Sequence, residues 1–581
     1  MPGMTALHLM CVLLLAGLYV TFEPKGLAQR PPLVIEGGTL IDGAGTAPRR
    51  DAVIVIEGNK ITAVGEKGKV SYPQGARIIP AAGKFILPGL IDMHVHWDNW
   101  MPELFLAHGV TSAVDLNSSD WQLAQKEALA SGRMTGPRLF GATPALSGRL
   151  LWDLSRTQPL GDAQMARELI RKVGPGRSPY ALAKAYTELT PDQLQAVVEE
   201  SHKAGRRVIA HLGSLDARQA AELGVDAVAH ASGIALATIS DPVKAEELRT
   251  FARLGIAAAF PLYLMYHAFM DPAKVDDLIA LLVRTNLRIE TDLITTSRWA
   301  SQQWPDFLVE ETRLLQDLNL RYVPAENRER ILYDASKRLD PRQREQLRRG
   351  YENLQGFIRK FVRAGGTILA GCDSASFVLP GLCLHQELVL LVDAGLTPLQ
   401  AIQAATKNNA EFLQESELGT IEPGKLADLI MVREDPLADI KNTRTVEVVV
   451  KDGNVMDTRY HPDFANPIPR TSRPGRFVNP EPFLRAIFPM QSRELNKDVP
   501  LTLEGSNFVD ESVVEFEGVE IPTTPIRDRM VRETAFDPIY TQLTATIPGR
   551  LLSRTGTYKV IVKNPKPEGG TSSVLHFFVA P

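Results

Sequence analysis

Six side chains that can bind a divalent metal ion, or act as an acid or base, lie at the ends of apolar, strand-like runs. They are His94, His96, Lys184, His211, His230 and Asp373. His94 and His96 are two residues apart, so both project from the same side of an extended strand. A single histidine is usually an ordinary core or surface residue, but four of them with an aspartate at matching positions predict a metal site. Nitrogen and oxygen donors without a thiolate suit Zn²⁺ first, with Mn²⁺, Fe²⁺ or Co²⁺ as substitutes.

Eight strand-like runs alternate with helical stretches in the middle of the chain, a pattern typical of βα units. The runs are 86–95, 109–116, 137–143, 180–186, 206–212, 225–231, 286–294 and 366–372. We therefore predict an α/β fold whose largest part, residues 86–415, is a (β/α)8 TIM barrel. For the seventh strand, residues 255–264 compete with 286–294, and we favour the latter. Because barrel active sites form at the C-terminal strand ends, the six side chains are expected to meet at one mouth of the barrel.

Both flanks of the predicted barrel are typical of β structure. Short β-branched runs with Gly and Asn turns predict a small composite β-sandwich built from residues 29–85 and 416–460. Residues 461–482 contain six prolines and are interpreted as a linker. From 483 to 581 the apolar period is two, which predicts an antiparallel, immunoglobulin-like sandwich. A long charged insertion, 296–364, precedes the eighth strand.

Length and composition describe an ordinary globular protein. The chain has 581 residues, of which 44% are hydrophobic and 23% charged, and its net charge is −4. These values argue against a disordered or fibrous chain. The near balance of charge, without a long run of one sign, predicts no nucleic-acid partner.

The N-terminus predicts export. Residues 6–22 are apolar but short for a membrane span, and small residues before Gln29 suit cleavage of a signal peptide, 1–28. An uncleaved anchor remains the alternative. We expect a periplasmic, extracellular or cell-surface protein. Its mature chain keeps only Cys372 and Cys383, so no dependence on a disulfide is expected, and Cys372 is interpreted as a small buried residue rather than a nucleophile.

Four segments carry a resemblance to a known family. They are LPGLIDMHVH (87–96), GGTILAGCDS (365–374), GLTPLQAIQAATKNNAEF (395–412) and GTIEPGKLADLIMV (419–432). Together with His211 and His230, they resemble the amidohydrolase superfamily in its imidazolonepropionase-like and prolidase-like branch. Two positions depart from the family pattern: Cys372 stands where a threonine is usual, and Ala229 where an acidic residue is common. Neither is a ligand, but both change the surroundings of ligands.

The resemblance implies a role for each side chain at the barrel mouth. One divalent ion would be held by His94, His96 and Asp373, and a second by His211 and His230. Lys184 would bridge the two ions as an N-carboxylated lysine, a modification that requires carbon dioxide and a neutral amine. A single ion beside an ordinary ion-pairing Lys184 stays open as the alternative.

The same resemblance implies hydrolysis by metal-activated hydroxide. Asp373 would accept the proton of the attacking water and pass it to the leaving nitrogen, while Lys184 holds the ions. Tyr186 points the same way as Lys184 and is interpreted either as a stabiliser of the oxyanion or as a packing residue. The expected substrate is a small molecule with an amide, peptide or cyclic amide bond, such as a dipeptide or an acyl-amino acid.

Two other functions remain open at this stage. One is a catalytically silent barrel that acts as a binding or structural protein, and the other is an esterase, lactonase or phosphotriesterase with the same metals. The C-terminal segments 501–518 and 544–573 resemble TIG-type immunoglobulin-like domains. This module is expected to act as a spacer, to dock to a surface or partner, or to support a homo-oligomer. The insertion 296–364 is expected to form a lid that selects the substrate.

Overall fold

The structure is a computed structural model, and it describes most of the chain. The described residues are 31–148, 156–172, 178–253, 260–374, 377–468, 482–509, 511–526, 530–532, 539–565 and 570–580. The predicted signal peptide, 1–28, lies outside these ranges, as do residues 469–481 of the predicted linker. Within the ranges, no helix combines the length and the apolar character needed to cross a bilayer.

A nearly closed barrel of eight parallel strands forms the centre of the fold. Its strands are Leu90–Val95, Val110–Asp115, Arg138–Ala142, Tyr180–Ala185, Arg207–Ala210, Ala227–Val228, Arg288–Glu290 and Ile368–Leu369. Each strand pairs with the next, and the His96 amide donates to the Ser374 carbonyl at 3.1 Å, which joins the first strand to the end of the eighth. The predicted α/β barrel is confirmed. The seventh strand, Arg288–Glu290, lies in the favoured run 286–294, whereas the end of the competing run, from Phe260 on, belongs to the helix Phe260–Met265.

The last strands are shorter than the sequence predicts. The sixth ends at Val228, where the backbone turns through a 3-10 segment that contains His230 with φ of 57°. The eighth ends at Leu369, and Asp373 follows in a loop with φ of 51°. Such positive φ values are uncommon outside glycine and persist where surrounding contacts hold them, often at functional sites. Both side chains therefore lie in turns just beyond their strands.

Helices connect the barrel strands and cover the outside of the barrel. The longer ones are Asp120–Ala130, Ala163–Lys172, Pro191–Lys203, Pro242–Arg253, Pro272–Arg284, Pro341–Arg363 and Leu382–Asp393. Shorter ones are Pro102–Ala107, Ala217–Glu222, Ile234–Thr238, Phe260–Met265, Pro398–Ala404 and Lys407–Phe412. Their starts are encoded locally: Thr190 and Gln193 form a capping box around Pro191, the residue type favoured in a first turn.

The insertion between the seventh and eighth strands is helical. It contains Leu293–Thr296, Arg298–Ala300, Trp304–Leu315, Leu318–Leu320, Ala325–Ile331 and Ala335–Arg338, and it leads into Pro341–Arg363. A fully buried ion pair joins Arg298 Nη1 to Glu311 Oε1 at 3.0 Å. Arg298 also lies over the Trp304 ring, with its guanidinium carbon 4.4 Å from the ring centroid. The buried apolar residues of the insertion, such as Trp304 and Phe307, belong to the same hydrophobic core as the barrel.

The segments that precede and follow the barrel in the sequence together form a single mixed sheet of eight strands. They are Leu33–Leu40, Arg49–Glu57, Lys60–Glu66, Arg77–Pro80, Phe85–Pro88, Leu429–Val432, Val446–Lys451 and Asn454–Val455. The two parts meet where Ile86 pairs with Met431 in antiparallel register. The chain beyond this sheet, residues 461–468, packs on the barrel: Asn466 donates to the Asn99 carbonyl at 3.2 Å, and Trp121 donates to the Ile468 carbonyl.

The C-terminal part of the chain contains two β-sheets. One contains Phe483–Phe488, Val499–Phe508, Thr523–Pro525, Met530–Arg532 and Ile539–Ile547. The other contains Gln491–Ser492, Val513–Phe516, Val519–Ile521, Gly556–Asn564, Gly570–Thr571 and Leu575–Val579. Alternate residues of both sheets, such as Leu503, Leu543 and Val562, share one buried core. The period of two in the sequence thus corresponds to strands with one buried face.

The expectation about the two cysteines was wrong. Cys372 and Cys383 form a disulfide, with Cα atoms 5.9 Å apart. Both residues are fully buried, so Cys372 is one half of a crosslink and not simply a small apolar residue. The spacing of eleven residues gave no sign of this, because a loop and the start of the helix Leu382–Asp393 bring the sulfur atoms together. The crosslink lies one residue before Asp373.

Candidate metal centre

Three of the predicted ligands, which we call the first ligand group, converge at the mouth of the barrel. The group consists of His94, His96 and Asp373, whose ligand atoms lie within 4.8 Å of one another. His96 Nε2 is 2.9 Å and His94 Nε2 is 3.7 Å from Asp373 Oδ1. The two histidines come from one strand at a spacing of two, as the sequence indicates, and Asp373 reaches them across the barrel closure.

The opposite ring nitrogens of the two histidines face oxygen atoms. His96 Nδ1 lies 2.9 Å from Asn117 Oδ1, which also accepts a hydrogen bond from Arg156 at 2.6 Å. His94 Nδ1 lies 3.1 Å from Glu290 Oε2. Histidines that bind a metal through one nitrogen generally hydrogen-bond through the other, which fixes the ring and its tautomer. Both rings are therefore oriented with Nε2 toward Asp373.

The remaining predicted residues, Lys184, His211 and His230, form the second ligand group. The ring of His230 lies 4.5 Å from that of His211 and 4.8 Å from that of His94, measured between centroids. His211 Nδ1 is buried and has no hydrogen-bond partner among the described residues. Tyr186 packs edge-on against His211 at 4.8 Å, so it lies at the site in a packing position.

Lys184 is buried at the end of the fourth strand. Its side chain is 1% exposed, and Nζ has no hydrogen-bond partner among the described residues. Burial lowers the pKa of Lys184 to about 8, although Glu290, Asp373 and Asp292 oppose the shift. A buried ammonium without a hydrogen bond is unfavourable, so Lys184 loses its proton more readily than an exposed lysine does.

Burial also keeps the imidazoles neutral. Desolvation is the largest cause of the lowered pKa values of His94, His211 and His230, and the positive charge of Lys184 adds to it for all three. For His230, Asp373 and Glu290 partly oppose the shift. Neutral imidazole is the form that binds a metal ion, so the centre is prepared as a ligand set.

The structure adds carboxylates that sequence reasoning missed. Glu290 ends the seventh strand, Asp292 follows two residues later, and both are fully buried beside His94 and His230. Asp292 Oδ2 lies 2.8 Å from His94 Nδ1 and 2.9 Å from His230 Nδ1. Burial raises the pKa of both acids well above the ordinary range, and their mutual proximity raises that of Glu290 further. Two acidic residues at the end of a predicted strand were the available signal.

A third missed carboxylate, Asp92, supports the backbone of the first ligand group. Its Oδ1 accepts hydrogen bonds from the amides of His94 and Cys372, each at 3.1 Å. These bonds tie the first strand to the loop that presents Asp373.

The donor set fits a divalent metal ion. Three buried nitrogen atoms of the two ligand groups have no hydrogen-bond partner within the described part of the chain: His94 Nε2, Lys184 Nζ and His211 Nδ1. Buried polar groups are normally hydrogen-bonded, so a concentration of unpaired ones at a barrel mouth indicates a missing partner. Cations satisfy nitrogen and oxygen donors of this kind.

Known proteins share this architecture. The family model described as "Amidohydrolase family" matches residues 85–456. A 5-methylthioadenosine/S-adenosylhomocysteine deaminase of Symbiobacterium thermophilum is 25% identical over 426 residues, covering 69% of this chain and 85% of the relative. Among solved structures, a putative prolidase from Bifidobacterium longum has a TM-score of 0.54 at 21% identity, over 76% of this chain and 98% of that one.

A second solved structure is a Xaa-Pro dipeptidase with methionine bound in its active site. It has a TM-score of 0.50 at 22% identity, over 73% of this chain and 100% of that one. At such identities the two structures support the fold alone, whereas the family model covers more than half of the chain. The chain therefore belongs to the amidohydrolase family and is a hydrolase that acts on carbon–nitrogen bonds.

Proposed function

We propose that the protein is an exported, metal-dependent amidohydrolase that cleaves the amide, peptide or cyclic amide bond of a small substrate. The observation that carries the proposal is the first ligand group: two Nε2 atoms and one carboxylate oxygen converge, and each imidazole is held from behind by an oxygen acceptor. When bound there, a divalent ion, Zn²⁺ first, lowers the pKa of a water molecule and polarises the scissile carbonyl.

The residues of this chain supply the remaining chemistry. The Asp373 carboxylate accepts the proton of the attacking water and returns it to the leaving nitrogen, which cannot depart as an anion. Its position is fixed by the contact with His96 and by the Cys372–Cys383 disulfide beside it. The ring of Tyr186 lies against His211 and limits access of water from that side.

Lys184 is proposed to carry an N-carboxylate. Its neutral amine nitrogen attacks the carbon of carbon dioxide and loses one proton to water, which yields a carbamate anion and a hydronium ion. Burial and the lack of a hydrogen-bond partner for Nζ among the described residues support this assignment, since an anionic group there would face His211 and His230. The carbamate would give the second ligand group the oxygen donors that a lysine lacks.

Other parts of the chain are assigned by position. The helical insertion follows the seventh strand, so it emerges at the mouth of the barrel, and it is proposed to act as a lid that selects the substrate. The two C-terminal sheets are proposed to form an immunoglobulin-like module of the TIG type that docks to a surface or partner. The disulfide supports export, because such bonds persist in oxidising compartments.

The test combines metal analysis with substrate panels. Purified wild-type protein is expected to contain one or two equivalents of divalent metal and to hydrolyse members of a panel of dipeptides, N-acyl-amino acids and cyclic amides. The variant His94→Ala is expected to lose metal and activity together. A parallel panel of 5-methylthioadenosine, carboxylic esters, lactones and phosphotriesters separates amide hydrolysis from deamination and from ester hydrolysis. Metal-free protein, or activity on esters alone, contradicts the proposal.

A further inference from the structure

Glu290 contacts both ligand groups through a single oxygen atom. Its Oε2 lies 3.1 Å from His94 Nδ1 and accepts the backbone N–H of His230 at 3.3 Å. The side chain is fully buried at the end of the seventh strand. One acceptor therefore connects a side chain of the first ligand group with the backbone of the second.

The contact with His94 determines which ring nitrogen is available to a cation. Neutral imidazole carries one N–H, and an oxygen acceptor beside Nδ1 favours the tautomer with the proton there. The lone pair is then on Nε2, the atom that faces Asp373. Asp292 Oδ2 lies 2.8 Å from the same His94 Nδ1, but it also faces His230 Nδ1 at 2.9 Å. Without Glu290 the two rings compete for this one oxygen, and the His94 tautomer that presents an N–H to the cation becomes accessible.

The contact with His230 holds a backbone that is otherwise unfavourable. His230 has φ of 57°, and Ala231 follows with φ of 49°. Left-handed residues other than glycine cost free energy and persist only when their surroundings determine them. The hydrogen bond from the His230 amide to Glu290 satisfies a buried donor in this turn.

The neighbouring eighth strand leaves room for this carboxylate. A Cβ atom at Gly371 would lie 2.6 Å from Glu290 Oε1 and 2.9 Å from His94 Cβ. Glycine at position 371 therefore leaves room for the contact between Glu290 and His94, whereas a larger residue would collide with both. This close packing is an observation separate from the hydrogen bonds, and it indicates that the surrounding backbone leaves space for the Glu290 carboxylate.

We propose that Glu290 is a positioning residue that sets the tautomer of His94 and the backbone of His230, so that both ligand groups present their nitrogen atoms at once. The inference rests on the proposed metal centre and adds a residue that the ligand motifs do not include. Glu290 needs no contact with substrate for this role.

The test compares three variants with the wild type. Glu290→Gln keeps an oxygen acceptor, and Glu290→Ala removes it. Asp226→Ala is the matched control, because Asp226 Oδ2 likewise accepts from an imidazole, His202 Nε2 at 2.8 Å, and from a backbone amide, that of Val208 at 2.7 Å. Asp226 precedes the sixth strand, at the end of the barrel away from the centre.

The first measurement is Zn²⁺ affinity by competition with a chelator, together with the absorption spectrum of Co²⁺-loaded protein. Loss of an outer partner typically weakens metal binding 10- to 100-fold, so Glu290→Ala should weaken binding by about this factor. Glu290→Gln should retain most of the affinity, and Asp226→Ala all of it. Wild-type affinity in Glu290→Ala, or an equal loss in Asp226→Ala, overturns the proposal.

The second measurement needs neither metal nor substrate. In metal-free protein labelled with ¹⁵N-histidine, the ring shifts of His94 should report protonated Nδ1 in the wild type and in Glu290→Gln. In Glu290→Ala they should shift toward a mixture of tautomers, because Asp292 alone must then serve both His94 Nδ1 and His230 Nδ1. An unchanged His94 tautomer in Glu290→Ala overturns the positioning role even if the enzyme hydrolyses amides. A lack of hydrolysis by the wild type, with the tautomer shift present, contradicts only the proposed function.

Discussion

Replacing Gly371 by alanine should damage the metal centre through steric contact alone. The added Cβ would lie 2.6 Å from Glu290 Oε1, and 2.9 Å from both Asp292 Oδ1 and His94 Cβ. All three neighbours are buried, so they must move by several tenths of an ångström within a packed interior. Overpacking of this kind typically costs about 1–3 kcal/mol.

The cost should appear mainly as lost metal affinity. Since 1.4 kcal/mol corresponds to a factor of ten, an overpacking cost of about 1–3 kcal/mol predicts roughly 5- to 150-fold weaker Zn²⁺ binding by Gly371→Ala. The matched control is Gly356→Ala in the helix Pro341–Arg363, where a Cβ would meet nothing within 4 Å. Alanine favours a helix interior by about 1 kcal/mol over glycine, so the control should bind metal normally and unfold no earlier.

The assay is chelator competition for Zn²⁺ at fixed pH, with thermal unfolding of the metal-free proteins measured in parallel. If Gly371→Ala binds Zn²⁺ as tightly as the wild type, the carboxylates beside it do not support the ligands, and the steric reasoning is refuted. If metal-free Gly371→Ala unfolds at a much lower temperature than the control, the steric strain destabilises the whole fold rather than the metal centre. Normal stability with weak binding is the expected combination.

Three further predictions address other parts of the chain. Lys184→Ala should lose most of the activity and the metal ion of the second ligand group. Short carboxylic acids should restore part of both, because their oxygen atoms replace those of the carbamate. A lack of rescue contradicts the modification. Burial raises the pKa of Glu311 to about 7 from an ordinary 4.5, so the stability that it contributes is present below pH 4.5 and lost as the pH rises toward 7. The midpoint of thermal unfolding should show this slope, and Glu311→Gln should reduce it. The paired change Cys372→Ala with Cys383→Ala should lower the free energy of unfolding by about 3 kcal/mol, measured by denaturant titration; a loss below 1 kcal/mol contradicts a stabilising crosslink.

The histidines of the candidate metal centre could be found from the sequence because histidine is rare and strand ends are recognisable. His94, His96, His211 and His230 were predicted at strand ends, and all four lie at one mouth of the barrel. Periodicity shows where a strand ends, and the barrel rule brings separate strand ends together. Neither the periodicity nor the barrel rule requires knowledge of contacts between residues distant in sequence.

The carboxylates behind these ligands were not predictable in the same way. Glu290 and Asp292 belong to a chain with 68 acidic residues, most of which are expected in solvent, so their place in a predicted strand was only a weak signal. Their burial depends on which strand lies next to His94 after the barrel closes. The positive φ values of His230 and Asp373 are likewise set by such contacts and not by local sequence.

The disulfide links the position of Asp373 to the redox state of the compartment in which the protein folds. Cys372 precedes Asp373 directly, and Cys383 belongs to the helix Leu382–Asp393, so the crosslink anchors the loop that presents a predicted ligand to a buried helix. In a reducing compartment thiols prevail and this anchor would be absent, whereas an exported chain keeps it. The apolar segment 6–22 of the sequence and the crosslink of the structure are separate features, yet both favour the proposed export. The geometry of Asp373 is therefore expected to be best defined outside the cytoplasm, where the proposed enzyme would work.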